Sequence, residues 1–488
     1  MVWSWVCRWL SAKLPENPKR ILVIREAAIG DVICMTPFLR ELRRKYPTAQ
    51  IEYVVVSWAR NIIETNPNVD SVHTIPNDCI AGTVWKVAAK RLYFYAKLTQ
   101  NQYDLIFCPS TQLLYKLPLV LFRKAYKVGF STEPKGQITR HNFMLDDYVW
   151  IDLNEIPRTR HIAVRYLEML DLISEKPVSR EGGLEIFLTD SDQEAVDKLL
   201  NRLKIQPDDE LIAIAAAAGS AIKSDSSIKT APKEKFIEIV QRLRQVGKRR
   251  KFFFIGASSE RDYVEAMNIC DNRRIFNVCG LLSLRESAEL LRRCKLLISN
   301  DSGVTHIASA LKMNHIVLFG ATDEVEFGPY RNPNATIVRQ KLVCTPCRGS
   351  YCSAPESEDT KGLERPFCLS KIKAEEVVKI AEEKLLEGRR QRLLEAMRDT
   401  FRLGVLFTHP TQHHSPLWRR LAREPSLDVY VMYLSNENVV EGTGDRELKA
   451  GEPWDIDLLS GYKYEFLKNW DGKVSKKSKK DAILSSFV

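Results

Sequence analysis

Short apolar runs and helical periodicities take turns along most of this chain. Ile21-Leu-Val-Ile24 is apolar and partly β-branched; the loop Arg25-Glu-Ala-Ala-Ile-Gly-Asp31 separates it from Val32, Met35, Phe38, Leu39 and Leu42, which recur at helical spacing. The pattern predicts strand, loop and helix, with Pro37 in the first turn of the main helix, where its missing donor is tolerated. Ile51 to Val56 supplies the next strand, completing a βαβ unit of a parallel sheet. Asp104 to Cys108 reads as a further buried strand and His161 to Leu170 as a helix, after which this first unit runs out near residue 200.

A second alternation follows. Strands are predicted at Leu211 to Ala218, Lys251 to Ile255, Ile275 to Val278, Leu296 to Ser299 and Ile316 to Phe319, with helices at Phe236 to Leu243, Ser283 to Arg293 and Val304 to Leu311. Two doubly wound α/β sheets are the expectation. Ala374 to Met397, rich in Glu, Lys, Leu and Ala, predicts a long closing helix, and Arg402 to Phe407 opens a third, partial α/β segment. The expected divisions are 1–17 (a tryptophan-rich lead), 18–200, 205–385, a helix end at 386–400, and 401–488 with an unfolded Lys- and Ser-rich tail from Asp471.

Composition leaves this picture standing. At 488 residues two or three domains are expected, and the hydrophobic and charged shares of 44% and 28% are those of a folded globular protein. The net charge of +11 favours an anionic partner, but the basic residues are dispersed and no nucleic-acid motif accompanies them, so no nucleic-acid partner is expected. No apolar run reaches the 18 or more residues that span a bilayer and no cleavable leader is legible, which predicts a cytoplasmic protein. The opening Met1-Val-Trp-Ser-Trp-Val-Cys-Arg-Trp-Leu10 suits a membrane interface, so it either touches the inner face of the cytoplasmic membrane or docks on the protein itself.

In open α/β sheets ligands bind beyond the carboxyl ends of strands, where loops and helix N-termini present amides. Two segments have that placement: Ala27-Ala-Ile-Gly-Asp31, with Gly30 in the turn and Asp31 at a helix start, and Ser299-Asn-Asp-Ser-Gly-Val-Thr-His306. Asp31, Asp301 and Ser302 could each be no more than a helix cap. One such loop in each half of the chain points instead to a ligand cleft between two domains.

These segments resemble glycosyltransferase family 9, the heptosyltransferases. The resemblance is carried by Ile21 to Pro37, by Ile298-Ser-Asn-Asp-Ser-Gly-Val-Thr-His-Ile-Ala-Ser-Ala310, and by His161 with Arg165-Tyr-Leu167, Gly256 with Glu260-Arg261, Gly280 with Ser283-Leu-Arg-Glu286, and Phe319-Gly-Ala-Thr322 with Gly328-Pro-Tyr330. It implies a GT-B fold, two Rossmann-like domains facing across a cleft: 18–200 on the acceptor side and 205–385 on the nucleotide-sugar side. It also implies inverting, metal-independent transfer from a nucleotide sugar such as ADP-heptose to a lipopolysaccharide-core or other lipid-linked glycan. Asp31 matches the family's catalytic base, and Lys229 its phosphate-contacting lysine, with Ser220 in the preceding loop. Glu260, Asp301, Ser302, Gly303 and His306 fall on the donor side, Arg25 and Gly30 on the acceptor side. The departures are Ala215-Ala-Ala-Ala-Gly-Ser220, Ala231 where the family has Trp, and Arg25-Glu-Ala-Ala where many members have small hydroxyl residues.

Cys344, Cys347, Cys352 and Cys368 share one loop, 344–368, and four thiols can close a structural zinc site with no position left open for chemistry. Free or redox-active thiols and disulfides are the alternatives, and no cofactor is expected for catalysis. Phe407-Thr-His-Pro-Thr-Gln-His-His-Ser-Pro416 and Trp454 to Leu467 resemble the N-terminal end of family 4-type glycosyltransferases, without their nucleotide-binding half. A nucleotide-sugar epimerase on the same two-domain plan, or a non-catalytic scaffold, would use the same loops.

Overall fold

Runs of Val, Ile and Leu that are apolar at every position cannot face water on either side, and in this protein they become the interior strands of parallel sheets. The computed structural model describes residues 12–80, 83–135, 142–155, 158–218, 228–347, 352, 354–399, 401–407, 414–423, 427–433 and 462–466. The Trp-rich opening up to residue 11, Ser220 and the tail from residue 467 lie outside them.

The first sheet holds β1 (Arg20–Ile24), β2 (Gln50–Val56), β3 (Ser71–Ile75), β4 (Leu105–Cys108), β5 (Tyr126–Ser131) and β6 (Asp147–Trp150) in the order β3-β2-β1-β4-β5-β6. All its pairings are parallel. Its helices include α1 (Ile29–Cys34), α2 (Thr36–Lys45), α3 (Val84–Leu98), α4 (Ile162–Asp171) and α5 (Asp190–Arg202). Pro37 sits in the first turn of α2, as its chemistry predicts. The i−4 carbonyl that a residue at position 37 would bond, that of Ile33, instead accepts from Thr36 Oγ1 at 2.8 Å, which lets α1 and α2 follow one another across Met35.

The second sheet repeats the plan: β7 (Glu210–Ala215), β8 (Arg250–Phe254), β9 (Ile275–Asn277), β10 (Leu296–Asn300), β11 (His315–Phe319) and β12 (Ala335–Arg339), in the order β12-β11-β10-β7-β8-β9. Its pairings are also parallel. Its helices include α6 (Lys233–Val246), α7 (Leu284–Arg293), α8 (Gly303–Ala310) and α9 (Ala374–Asp399). Side chains alternate between two cores. Ala213, Phe253 and Leu297 join the core of the first sheet, while Ile212, Phe252, Phe254 and Ile298 face the other way, with Val377, Ala381 and Leu385 of α9 in the same cluster. The strand order reverses beside β1 and β4 in one sheet and beside β7 and β10 in the other. At those switch points the loops after the strands diverge and leave room for ligands.

Described residues up to Leu385 form one compact unit, and those from Leu386 a second. In the second unit β13 (Phe401–Phe407), β14 (Leu427–Tyr433) and β15 (Lys463–Phe466) pair in parallel. Trp418 of α10 (Ser415–Leu421) buries with Val429, Val431 and Tyr433, so this unit is a small α/β segment with a modest core. Among the described residues no helix is long and apolar enough to cross a membrane.

Candidate functional site

Asp31 stands in the first turn of α1, a quarter exposed, and is gripped from two sides. Arg25 Nη2 donates to its Oδ1 at 2.7 Å, and Tyr166 Oη of α4 donates to the same oxygen at 3.3 Å. Burial works against the Arg25 charge, yet Asp31 holds that guanidinium above its ordinary value, so the pair stays ionic. Arg25 also donates to Pro109 O at 3.0 Å, tying the loop after β1 to the loop after β4. The next residue, Glu26, is buried and receives Arg91 Nη2 at 2.8 Å, together with Arg91 Nη1 and Tyr95 Oη, all from α3. The Arg25-Glu26 pair that departs from the family pattern therefore braces the loop that carries Asp31.

Across the cleft, Asp301 leaves β10, is nearly buried, and accepts from Lys229 Nζ at 3.1 Å and from Thr322 Oγ1. The segment carrying Lys229 is fixed by Asn300, whose Oδ1 accepts from Ala231 N at 3.0 Å and whose Nδ2 donates to Ala216 O at 2.6 Å. Ser302 caps α8, and its buried hydroxyl has no partner among the described residues. The first-turn amides of α8 then point into the cleft with no side-chain cap, the setting in which a helix N-terminus receives an anion.

The two halves meet where α1 lies against α8. A Cβ on Gly303 would come 3.2 Å from Ile29 Cβ, and one on Gly30 would come 2.5 Å from His306 Cδ2. Gly30 is required by this close approach, while a side chain at Gly303 would press Ile29 to give by a few tenths of an ångström. His306 is buried, with Nδ1 3.3 Å from Cys34 Sγ. Burial lowers its pKa, with Asp301 and Asp31 pulling the other way, so its ring is a neutral packing element between the domains. His161 caps α4: its Nδ1 accepts from Ala163 N at 3.1 Å and its Nε2 donates to Gly328 O at 3.0 Å in the second domain. Burial and the neighbouring His306 bring its pKa down to about 3. Arg158 N adds a bond to Asp323 Oδ2 at 2.8 Å.

Two cavities flank α1. The first, about 460 Å³, spans both domains and is lined by Arg25, Arg158, Arg165 and Lys229 with Phe130 and Phe327. Arg165 is buried; its Nη2 donates to Glu155 at 2.7 Å, and its Nε and Nη1 lack partners among the described residues. The second, about 420 Å³, is bounded by Ile29 and Trp58 on one side and by Gly256, Glu260, Ser302 and Gly303 on the other. Glu260 is buried in its wall, with Oε2 accepting from Ala257 N at 2.8 Å.

Of the residues singled out from sequence, Arg25, Gly30 and Asp31 gather at α1. Lys229, Asp301, Ser302, Gly303 and His306 gather opposite, and Glu260 lines the second cavity. Sequence reasoning missed Tyr166, Asn300, Cys34 and Arg158 as site residues. The first three sit inside stretches that the resemblance had already marked, and Arg158 carries no local signal.

Cys34, His161 and His306 offer ligand atoms within 4.8 Å of one another, the group of this kind found among the described residues. They do not fit a metal, because both ring nitrogens of His161 are already committed to Ala163 and Gly328. In the cysteine loop, Cys344 and Cys347 are exposed, Cys352 is half-buried and Cys368 is buried. Burial and the nearby thiols of Cys347, Cys352 and Cys344 push the Cys368 thiol up to about 12.

Two parallel Rossmann-like sheets with a cleft at their facing switch points define the GT-B class. Comparison with known proteins gives the family: residues 91–357 match the model of glycosyltransferase family 9 (heptosyltransferase), and the chain belongs to that family and is a glycosyltransferase. It is 25% identical over 375 residues to lipopolysaccharide heptosyltransferase 1 of Campylobacter coli, covering 75% of this chain and 98% of that one. It is 23% identical over 333 residues to lipooligosaccharide heptosyltransferase 2 of Haemophilus ducreyi, covering 66% and 88%. The fold is similar to that of a family 9 glycosyltransferase from Veillonella parvula, with TM-score 0.61 and 22% identity over 77% of this chain and 99% of that one. It is also similar to E. coli ADP-heptose heptosyltransferase II, with TM-score 0.57 and 17% identity over 76% and 99%. Membership displaces the epimerase and scaffold readings.

Proposed function

We propose that this enzyme transfers heptose from ADP-heptose to a lipopolysaccharide-core glycan, with inversion and without a metal ion. The observation that carries the reading is Asp31, a carboxylate held by Tyr166 and by Arg25, which lines the first cavity, on the helix whose Ile29 borders the second, with the Lys229–Asp301 pair across the cleft. The cavity bounded by Glu260 and Ser302 has the size and the mostly apolar walls for a nucleoside, with Glu260 near enough to its surface for ribose hydroxyls. The diphosphate then lies toward Lys229 and the open amides of α8. The acceptor enters through the arginine-lined cavity, where the unpartnered Arg165 nitrogens suit an anionic sugar.

In the reaction Asp31 takes the proton of the acceptor hydroxyl as its oxygen bonds to the anomeric carbon, and the bond from that carbon to the diphosphate breaks. The additional negative charge that develops on the β-phosphate of the leaving ADP is met by Lys229 and the α8 amides, which serve where other enzymes use a divalent cation. The fixed side chains do this without reorganising, because Arg25 and Asn300 already hold both partners. Among the described residues, no three of the thiols in the cysteine loop lie within 4.8 Å of one another, so a structural zinc there would require the loop to close around it, away from this chemistry; the lead segment contacts the inner face of the cytoplasmic membrane.

The test follows nucleotide diphosphate release from a panel of nucleotide sugars with a deacylated core glycan. Release is expected from ADP-heptose only with acceptor present, to survive a chelator, and to vanish in Asp31→Asn while ADP still binds. Release without acceptor, or full turnover by Asp31→Asn, would overturn the assignment of Asp31 as the base.

A further inference from the structure

Helix α3 (Val84–Leu98) turns two different faces outward and inward. Val87, Arg91, Tyr95 and Leu98 are buried, and through Arg91 and Tyr95 they hold Glu26 in the loop that leads to Asp31. The opposite face carries Trp85 and Tyr93 at 86% and 66% exposure, with Lys86, Lys90 and Lys97 among them, also exposed. Lys97 Nζ lies 4.4 Å from the centre of the Tyr93 ring, and Lys90 pairs with Asp78 at 2.7 Å.

Side chains of this size are seldom left in water on a helix that has a polar alternative at each turn, and the separation of Trp85 and Tyr93, about two turns, sets both on the outward flank. The charge around them is one-sided. From Asp78 to Thr132 five of the lysines and arginines are exposed, Lys86, Lys90, Lys97, Arg123 and Lys124, against two carboxylates, Asp104 and the Asp78 that pairs with Lys90. Phe122, packed against Tyr95, leads into the exposed Arg123 and Lys124 beside the end of the helix. Aromatic rings flanked by lysines in excess of the nearby acids match the anionic headgroup layer of a membrane: the rings insert at the interface and the ammonium groups meet phosphates.

We propose that the outer face of α3 docks this enzyme on an anionic membrane surface. The placement suits the reaction, because the inner face of the same helix clasps the loop of the catalytic carboxylate. Tyr115, packed against Arg91 at 4.6 Å, follows closely on Pro109 to Gln112 at the lip of the arginine-lined cavity. A sugar chain rising from the lipid would reach that cavity without leaving the membrane. The proposal rests on the lipid-linked acceptor for its purpose, whereas vesicle binding is read without acceptor or turnover.

The experiment sediments the full chain with vesicles of phosphatidylcholine alone or mixed with phosphatidylglycerol. Binding to the anionic vesicles alone is expected, weakened by salt. Each basic residue at such a surface contributes roughly a fivefold factor in partitioning, so K86E/K97E should lose at least about tenfold. W85S/Y93S should lose binding in low salt as well, with turnover of a water-soluble acceptor unchanged in both. The proposal is overturned if the wild-type chain ignores anionic vesicles or if both variants bind as it does. It is equally overturned if binding disappears only on replacing Trp3, Trp5 and Trp9, or if the variants change the mass of the protein in solution, which would make this face a contact between copies.

Discussion

Gly30→Ala is the sharpest probe of how the two domains meet. In an exposed helix the change would stabilise, since glycine costs about 1 kcal/mol against alanine. Here the added methyl would lie 2.5 Å from His306 Cδ2 and 3.1 Å from Nε2, against an optimal separation of roughly 3.5–4.0 Å between carbons. The ring must yield by about 1 Å, and it is confined on its other side by Cys34 Sγ, 3.3 Å from Nδ1. Overpacking of this kind costs about 1–3 kcal/mol, enough to reverse the helical gain. The methyl belongs to α1 and the ring to α8, so the strain is relieved most readily by parting the helices that bring Asp31 opposite Lys229. Thermal unfolding should show a lower Tm, and kcat/KM should fall roughly 5- to 150-fold if the parted helices must close against that strain to reach the transition state. In a His306→Ala background the same methyl should cost nothing in Tm, a coupling that a double-mutant cycle reads directly. A rise in Tm for Gly30→Ala, or strictly additive effects, would refute the contact.

Lys229→Ala removes a charged donor from the diphosphate, a loss of about 1.5–3 kcal/mol, so kcat/KM for the donor should drop roughly 10- to 150-fold; an unchanged value by steady-state kinetics would remove Lys229 from the site. His161 carries a pKa lowered to about 3 in the folded chain, against about 6.5 when unfolded. Below pH 6.5 only the unfolded chain takes up that proton, so stability is full above that value and falls toward pH 3 by up to about 1.4 kcal/mol per pH unit. His161→Asn, which keeps a cap for Ala163 N, should flatten the acid limb of a Tm-against-pH curve, and an unaltered limb would count against it. Metal analysis of protein purified without added zinc should find one zinc per chain, lost on replacing Cys344 and Cys347 by Ser; a sub-stoichiometric content would exclude the site.

What could be read from the sequence depended on where a strand lies in its sheet. Interior strands such as β1, β4, β7 and β10 are buried on both faces and announce themselves as unbroken apolar runs. The strands that escaped notice, β3, β6 and β12, are edges, where one flank meets solvent and polar residues such as Ser71, Asp147 and Thr336 enter the run. In β5 the signal is broken by Gly129, whose Cβ would lie 2.5 Å from Cys108 O. Helix α3 lacked a clean period because its outer face is apolar too. In the site, the residues at strand ends and helix starts were legible, since loop position alone selects them. Tyr166 and Asn300 act over 135 and 69 residues of chain separation, and no local pattern encodes such partnerships.

The side chain of Asn300 has a consequence for how this family can vary. By bonding Ala216 O and Ala231 N at once, it fastens both ends of one stretch of chain to the same point. Closure entropy grows only with the logarithm of loop length, about 0.6 kcal/mol for each doubling, so once the ends are clamped the interior carries little thermodynamic weight. Insertions and substitutions between positions 218 and 228 should accumulate at small cost, while Lys229, next to the clamp, keeps its aim. A single amide thus separates what can vary along the chain from what must stay in place, the Lys229–Asp301 pair.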